Sequence, residues 1–149
     1  MKDKKYFPLF MDLSDKKIVI IGGGLVAQRR MCTLMNFGVD ITVVSPDLTD
    51  EIKKKIPEIR YICDIYKKEY IENSWLVLAC TNNREINRKI GIDAKEKNIL
   101  VNVCDNKDEC DFYFPGIVTH ENTVIGICGS GSNHSATKRV IDRIRRLFK

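Results

Sequence analysis

The apolar run Lys17-Ile18-Val19-Ile20-Ile21 passes straight into Gly22-Gly23-Gly24 and then into Leu25-Val26-Ala27-Gln28, and no other stretch constrains the chain as much. It reads as strand, tight turn and helix. Gly22, Gly24 and Ala27 stand at the G-x-G-x-x-G/A spacing of a dinucleotide-binding turn. In such a turn the first glycine permits the reversal and the second leaves the backbone open to a pyrophosphate. The small third residue lets the helix pack closely on the strand. The N–H groups of Leu25 and Val26 then face the phosphates at the positive end of the helix. A glycine triplet alone also makes an ordinary strand-to-helix turn, so the remaining pattern has to agree with it.

That pattern alternates strands and helices. Ala27, Met31, Leu34 and Met35 recur at helical spacing, and Gly38 stands where a left-handed C-terminal residue belongs. Residues 41–44 form the second strand, with Ser45-Pro46-Asp47 at its exit, about 20 residues after the turn, where the adenosine ribose is read. Ser45 holds the place of the usual acidic residue and Asp47 follows two residues later. Asp47 suits either the ribose hydroxyls or the start of the next helix. No arginine is present at this exit to meet a 2′-phosphate, so the expected cofactor is NAD rather than NADP. Residues 59–62 read as a short third strand and 67–73 as a helical or irregular crossover. Residues 75–80 are continuously apolar, as in a strand buried on both faces, and Thr81-Asn82-Asn83 can cap a helix whose buried face is Ile86, Ile90 and Ala94. Residues 100–103 are the fifth strand, with Asp105 just beyond it.

The expected fold is therefore an α/β Rossmann-type parallel sheet over residues 1–113, followed at 114–149 by a β-hairpin and a basic helix. Strand exits of such a sheet lie on one edge, where ligands bind. The cofactor set expected there is Gly22, Gly24, Leu25, Val26, Ser45, Pro46, Asp47, Thr81 and Asn102. Asp105 is the candidate catalytic base, next to the nicotinamide position, with a solvated turn carboxylate as its plainer role. Leu9, Phe10 and Leu13 of the lead-in are expected to cover one end of the core. The last helix is expected to bury Ala136, Val140, Ile144, Leu147 and Phe148 along one face, and its Lys138, Arg139 and Arg143 suit an anionic partner.

Composition narrows the class further. At 44% apolar and 30% charged residues the chain has the balance of a globular domain, and it holds no apolar run long enough for a bilayer. A cytoplasmic protein without membrane or nucleic-acid partners is expected. The six cysteines form no C-x-x-C pair and read as reduced thiols used as small core residues, with no metal site. His120 reads as a hairpin residue and His134 as a residue at the start of the last helix.

Tyr6-Phe7-Pro8-Leu9-Phe10, the glycine turn, Trp75-Leu76-Val77-Leu78-Ala79-Cys80-Thr81, Asn102-Val103-Cys104-Asp105 and Phe112-Tyr113-Phe114-Pro115 together resemble precorrin-2 dehydrogenase, the amino-terminal module of sirohaem synthase. The resemblance spans nearly the whole chain. It implies NAD-dependent oxidation of precorrin-2 to sirohydrochlorin and, in bifunctional members, insertion of ferrous iron. It also implies that Asp105 serves both steps and that the segment from Phe112 onward forms an interlocked dimer interface. The residues themselves point to a homodimer as well, because the hairpin and last helix present Phe112, Phe114, Ile117, Val118, Leu147 and Phe148 with little remaining chain to bury them. The chain departs from the family in Ser130-Gly131-Ser132-Asn133-His134, where a Gly-Gly-x-Ser-Pro run is usual, and it reaches Lys149 without the helical domain of longer members. A non-catalytic NAD-sensing module is the alternative reading. It needs the glycine turn but neither Asp105 nor the basic helix.

Overall fold

The computed structural model describes residues 6–129 and 134–148. Two compact units emerge: Asp12–Phe112, and a second formed by Met1–Met11 with Tyr113–Lys149. The first unit ends at Phe112, and the N-terminal lead-in belongs to the second unit. Tyr6 accounts for that membership. Its ring meets Tyr113 edge-on at 4.5 Å, and the two hydroxyls are 2.9 Å apart.

The first unit is a five-stranded, all-parallel sheet. Its strands are β1 (Lys17–Ile21), β2 (Asp40–Val44), β3 (Arg60–Ile62), β4 (Leu76–Ala79) and β5 (Leu100–Val103), in the order β3-β2-β1-β4-β5. β1 is the central strand, with β2 and β4 on either side, and the unbroken apolar sequences of β1 and β4 fit interior strands: Ile18, Val19, Ile20, Val77, Leu78 and Ala79 have no exposed surface. Full burial stabilises each larger side chain by roughly 1.5–3 kcal/mol, so these strands anchor the domain. Helices α1 (Leu25–Leu34), α2 (Asp50–Lys54) and α3 (Arg84–Glu96) fill the crossovers. Between β3 and β4 the crossover is reduced to a 3-10 turn, Lys68–Ile71, whose fully buried Ile71 joins the core.

Local rules set the helix ends. Ala27, Met31 and Leu34 are the buried face of α1, and Gly38 takes the left-handed conformation (φ 63°) after a closing 3-10 turn. Asn83 caps α3, its side chain accepting from the N–H groups of Glu85 (3.0 Å) and Ile86 (3.2 Å). The sheet order reverses at β1, which has β2 on one side and β4 on the other. A crevice therefore opens beyond the carboxyl ends of β1 and β4.

In the second unit β6 (Gly116–His120) and β7 (Thr123–Ile127) pair antiparallel, and α4 (His134–Leu147) packs on β6. Gly116 leaves room there for Ile141, whose Cδ1 a Cβ would push aside. His120 stacks on Phe148 with ring centroids 4.2 Å apart.

Several expectations need correction. Leu9 and Phe10 are each 69% exposed and cover no core, because the lead-in is committed to the second unit. On α4 the packed stripe runs through Ile141 and Ile144, leaving Val140 and Leu147 exposed, because β6 meets the helix on the Ile141 side. Val118, expected on the presented apolar surface, is instead buried. Among the cysteines only Cys80 is a core residue; Cys104 and Cys110 are half-buried, and Cys32, Cys63 and Cys128 are exposed.

Candidate cofactor and catalytic edge

The three glycines of the turn do separate jobs. Gly22 adopts φ +115°, and a Cβ on it would collide with the carbonyl of Cys80 at the end of β4. Gly23 lies against the exit of β2, where a Cβ would collide with the carbonyl of Asp47; its own carbonyl accepts the Thr49 N–H at 3.0 Å. Gly24 differs from both. Its backbone is ordinary (φ −84°, ψ −170°), and a Cβ there would meet nothing within 4 Å. It borders open space at the start of α1, whose first internal bond is from the Gln28 N–H to the Gly24 carbonyl at 2.9 Å. The N–H groups of Leu25 and Val26 precede that bond, and no acidic residue occupies the first turn to neutralise them. Their side chains are exposed. This cradle fits a dinucleotide pyrophosphate: the open side belongs to the second glycine of the fingerprint, and Ala27, fully buried, lets α1 lie close on β1.

At the exit of β2 Ser45 is buried, and its hydroxyl donates to the Asp47 carbonyl at 2.7 Å. The Tyr61 hydroxyl donates to the Ser45 carbonyl at 3.0 Å. Ser45 thus shapes the loop, while Pro46 and Asp47 stand exposed on it. Asn102 is also turned inward: its Nδ2 donates to the Phe112 carbonyl at 2.9 Å, fixing the chain where the first unit ends.

A polar network joins the exits of β4 and β5. Asn87, fully buried on α3, accepts the Thr81 N–H at 3.0 Å and donates to the Thr81 carbonyl at 3.0 Å. The same amide nitrogen donates to Asp105 Oδ2 at 2.9 Å. Arg84 approaches Asp105 Oδ1 at 3.5 Å and pairs with Glu109, which also accepts from Asn106 Nδ2 at 3.0 Å. The Glu109 contact, with Coulombic help from Asp105, holds the Arg84 guanidinium above its usual pKa. Asp105 therefore has donors on both oxygens while its side chain remains 36% exposed. Thr81 and Asp105 are brought together through Asn87, and the glycine turn meets the exits of both β2 and β4.

The sequence carries little signal of the network's central residue. Asn87 lies beside the apolar face Ile86-Ile90-Ala94, and only its position one turn after the Asn83 cap hinted at a polar duty. Arg84 and Glu109, far apart in sequence, gave no signal at all. Lys138, Arg139 and Arg143 are exposed on α4, in the second unit. The side chain of His134 and residues 130–133 lie outside the described residues.

Several known proteins are similar to this chain in sequence or in fold. The chain is 44% identical over 144 residues to the "Probable multifunctional siroheme biosynthesis protein HemA" of Ruminiclostridium josui, covering 95% of this chain and 28% of that protein. It is 41% identical over 127 residues to the siroheme synthase of Psychrobacter arcticus, covering 84% of this chain and 23% of that one. The chain thus spans about a quarter of the length of these relatives. Among solved structures, the fold matches SirC, a precorrin-2 dehydrogenase, with a TM-score of 0.83 at 22% identity, over 97% of this chain and 72% of that one. A family model described as "Putative NAD(P)-binding" matches residues 9–116, which takes in the glycine turn, the parallel sheet and the Asp105 loop, and the chain belongs to that family.

Proposed function

We propose that this chain oxidises precorrin-2 to sirohydrochlorin with NAD, in the cytoplasm and as a homodimer. The observation that carries the reading is the Asp105 carboxylate, held by Asn87 and Arg84 at the same sheet edge as the glycine turn. The siroheme names of the relatives supply the substrate class. Gly22, Gly24 and the first N–H groups of α1 hold the pyrophosphate, and exposed Asp47 favours ribose hydroxyls over a 2′-phosphate. The bound nicotinamide supplies the hydride acceptor. Asp105 accepts the accompanying proton on its carboxylate, which Asn87 and Arg84 keep oriented. Lys138, Arg139 and Arg143 offer charge-assisted hydrogen bonds to the carboxylates of the tetrapyrrole. Phe7, Leu9, Phe10 and Leu147, large apolar side chains left exposed, support self-association, because an interface would bury them.

The test is an anaerobic assay with precorrin-2 and NAD, following NADH and sirohydrochlorin together. Both should appear in equal amounts. Binding of NAD without turnover would return the chain to a nucleotide-sensing role. Ferrous ion added to the product then asks separately for chelation, and light scattering asks for the dimer.

A further inference from the structure

Cys80 and Cys104 each follow directly on a paired residue of adjacent parallel strands: Ala79 of β4 is in register with Val103 of β5, and the Cys104 N–H donates to the Ala79 carbonyl at 3.0 Å. Neighbouring strands lie about 4.8 Å apart. That spacing falls within the roughly 4.4–6.8 Å Cα separation that a disulfide requires. The two sulfurs face each other at 2.7 Å. Cys80 is 6% exposed, whereas Cys104 is half-buried.

The surroundings make the two thiols unequal. The Cys80 thiol hydrogen-bonds to Cys104 and holds the Cys104 thiol below its ordinary pKa. The positive charges of Arg30 and, more weakly, Arg29 act in the same direction, against burial and the nearby Asp105 carboxylate. Cys80 is pushed up by the same hydrogen bond and by burial. Cys110 is spoken for elsewhere, its sulfur lying 3.2 Å from both the N–H and the carbonyl of Val103. Nothing in the dehydrogenase reading uses this pair, although Thr81 and Asp105 are the residues that follow it.

We propose that Cys80 and Cys104 form a peroxide-oxidisable dithiol, with Cys104 as the attacking sulfur and Cys80 as the resolving one. The Cys104 thiolate attacks one oxygen of hydrogen peroxide; the O–O bond breaks, the departing hydroxide takes up a proton to leave as water, and Cys104 carries a sulfenic acid. The Cys80 sulfur then attacks the sulfenic sulfur. The S–S bond forms, the S–O bond breaks, and the departing hydroxide leaves as water with the Cys80 proton. Two thiols lose two electrons in all, and one peroxide becomes two waters. The bridge links the starts of the loops that carry Thr81 and Asp105, so it fixes the spacing of the two strand exits.

The experiment uses the reduced full chain, a stoichiometric pulse of hydrogen peroxide, alkylation of the remaining thiols, tryptic digestion and mass spectrometry. Trypsin places Cys80 in peptide 69–84 and Cys104 in peptide 98–107, apart from the other four cysteines. The expected product is a dithiothreitol-sensitive species joining these two peptides, in a chain lighter by two hydrogens, with Cys32, Cys63 and Cys128 still alkylated. In Cys80→Ala, Cys104 should instead accumulate as a sulfenic acid that dimedone traps. A Cys104 sulfinic acid beside an alkylated Cys80 in the wild-type chain would overturn the proposal. So would a bridge to Cys110, or consumption of the exposed thiols before Cys104. The peptide map requires no variant to fold and no NAD or tetrapyrrole, so it stands or falls apart from the dehydrogenase assay.

Discussion

Replacing Asn87 by leucine keeps the size of a fully buried side chain and removes its amide. The Thr81 N–H and carbonyl, bonded to that amide at 3.0 Å each, and Asp105 Oδ2, at 2.9 Å, lose their partner together. A buried polar group left unsatisfied costs about 1–3 kcal/mol. Asp105 is exposed enough for water to replace the lost donor, and Thr81 is half-buried, so the sum should be about 2–3 kcal/mol rather than three full penalties. At this chain length that corresponds to a fall in Tm of about 4–12 °C. Turnover should also fall, because the Asp105 carboxylate would keep Arg84 but lose the donor that orients it, while the KM for NAD should hold. Asn87→Asp provides a second, pH-resolved version. It sets a second carboxylate beside Asp105, so one of the pair must hold a proton and its folded-state pKa rises. A raised carboxyl pKa makes a contribution that is complete below the unfolded pKa and lost as pH climbs through the folded one. This variant should therefore approach wild-type stability near pH ~4 and fall increasingly behind it toward pH ~8. Urea unfolding at several pH values measures both variants. A loss below about 1 kcal/mol in Asn87→Leu, with unchanged turnover, would refute the idea that this residue organises the edge.

Asp105→Asn should keep the fold and NAD affinity yet lower dehydrogenase turnover by roughly a hundredfold, the scale of a lost general base, and steady-state kinetics with a binding titration would show it. Gly24→Val should fold normally, since its Cβ enters open space, but lose NAD binding by calorimetry. Gly22→Val should instead yield little folded protein, because φ +115° and the Cys80 carbonyl both oppose a side chain. Arg143→Ala should raise the KM for the tetrapyrrole more than it lowers kcat, as lost uniform binding does; a lower Tm with unchanged kinetics would make the residue a solvated helix position. Asp64 is held down to about 2, from 3.8, by hydrogen bonds from Lys67 and then Tyr70. A depressed carboxylate stabilises the fold above its unfolded pKa and loses that effect as pH falls through the folded one, so Asp64→Asn should flatten the acid limb of stability between 3.8 and about 2.

The sequence by itself determined the sheet and the turn. Continuous apolar runs at β1 and β4, the helical spacing of Ala27, Met31 and Leu34, the Asn83 cap and Gly38 are local signals, each carried by a few neighbouring residues whose physics needs no partner far along the chain. Those same signals placed the strand exits on one edge and singled out Asp105. Tertiary structure alone decided what surrounds it. Asn87 to Asp105, Arg84 to Glu109 and Cys80 to Cys104 span 18, 25 and 24 residues, and no periodicity links positions that far apart. Folding also reassigned the lead-in to the second unit and chose Ile141 over Val140 as the packed residue of α4, since a helix with apolar residues on adjacent stripes has no local preference between them. Even within the glycine triplet, spacing marked the turn, but only the neighbouring loops separated Gly22 and Gly23, which the fold requires, from Gly24, which leaves room for a ligand.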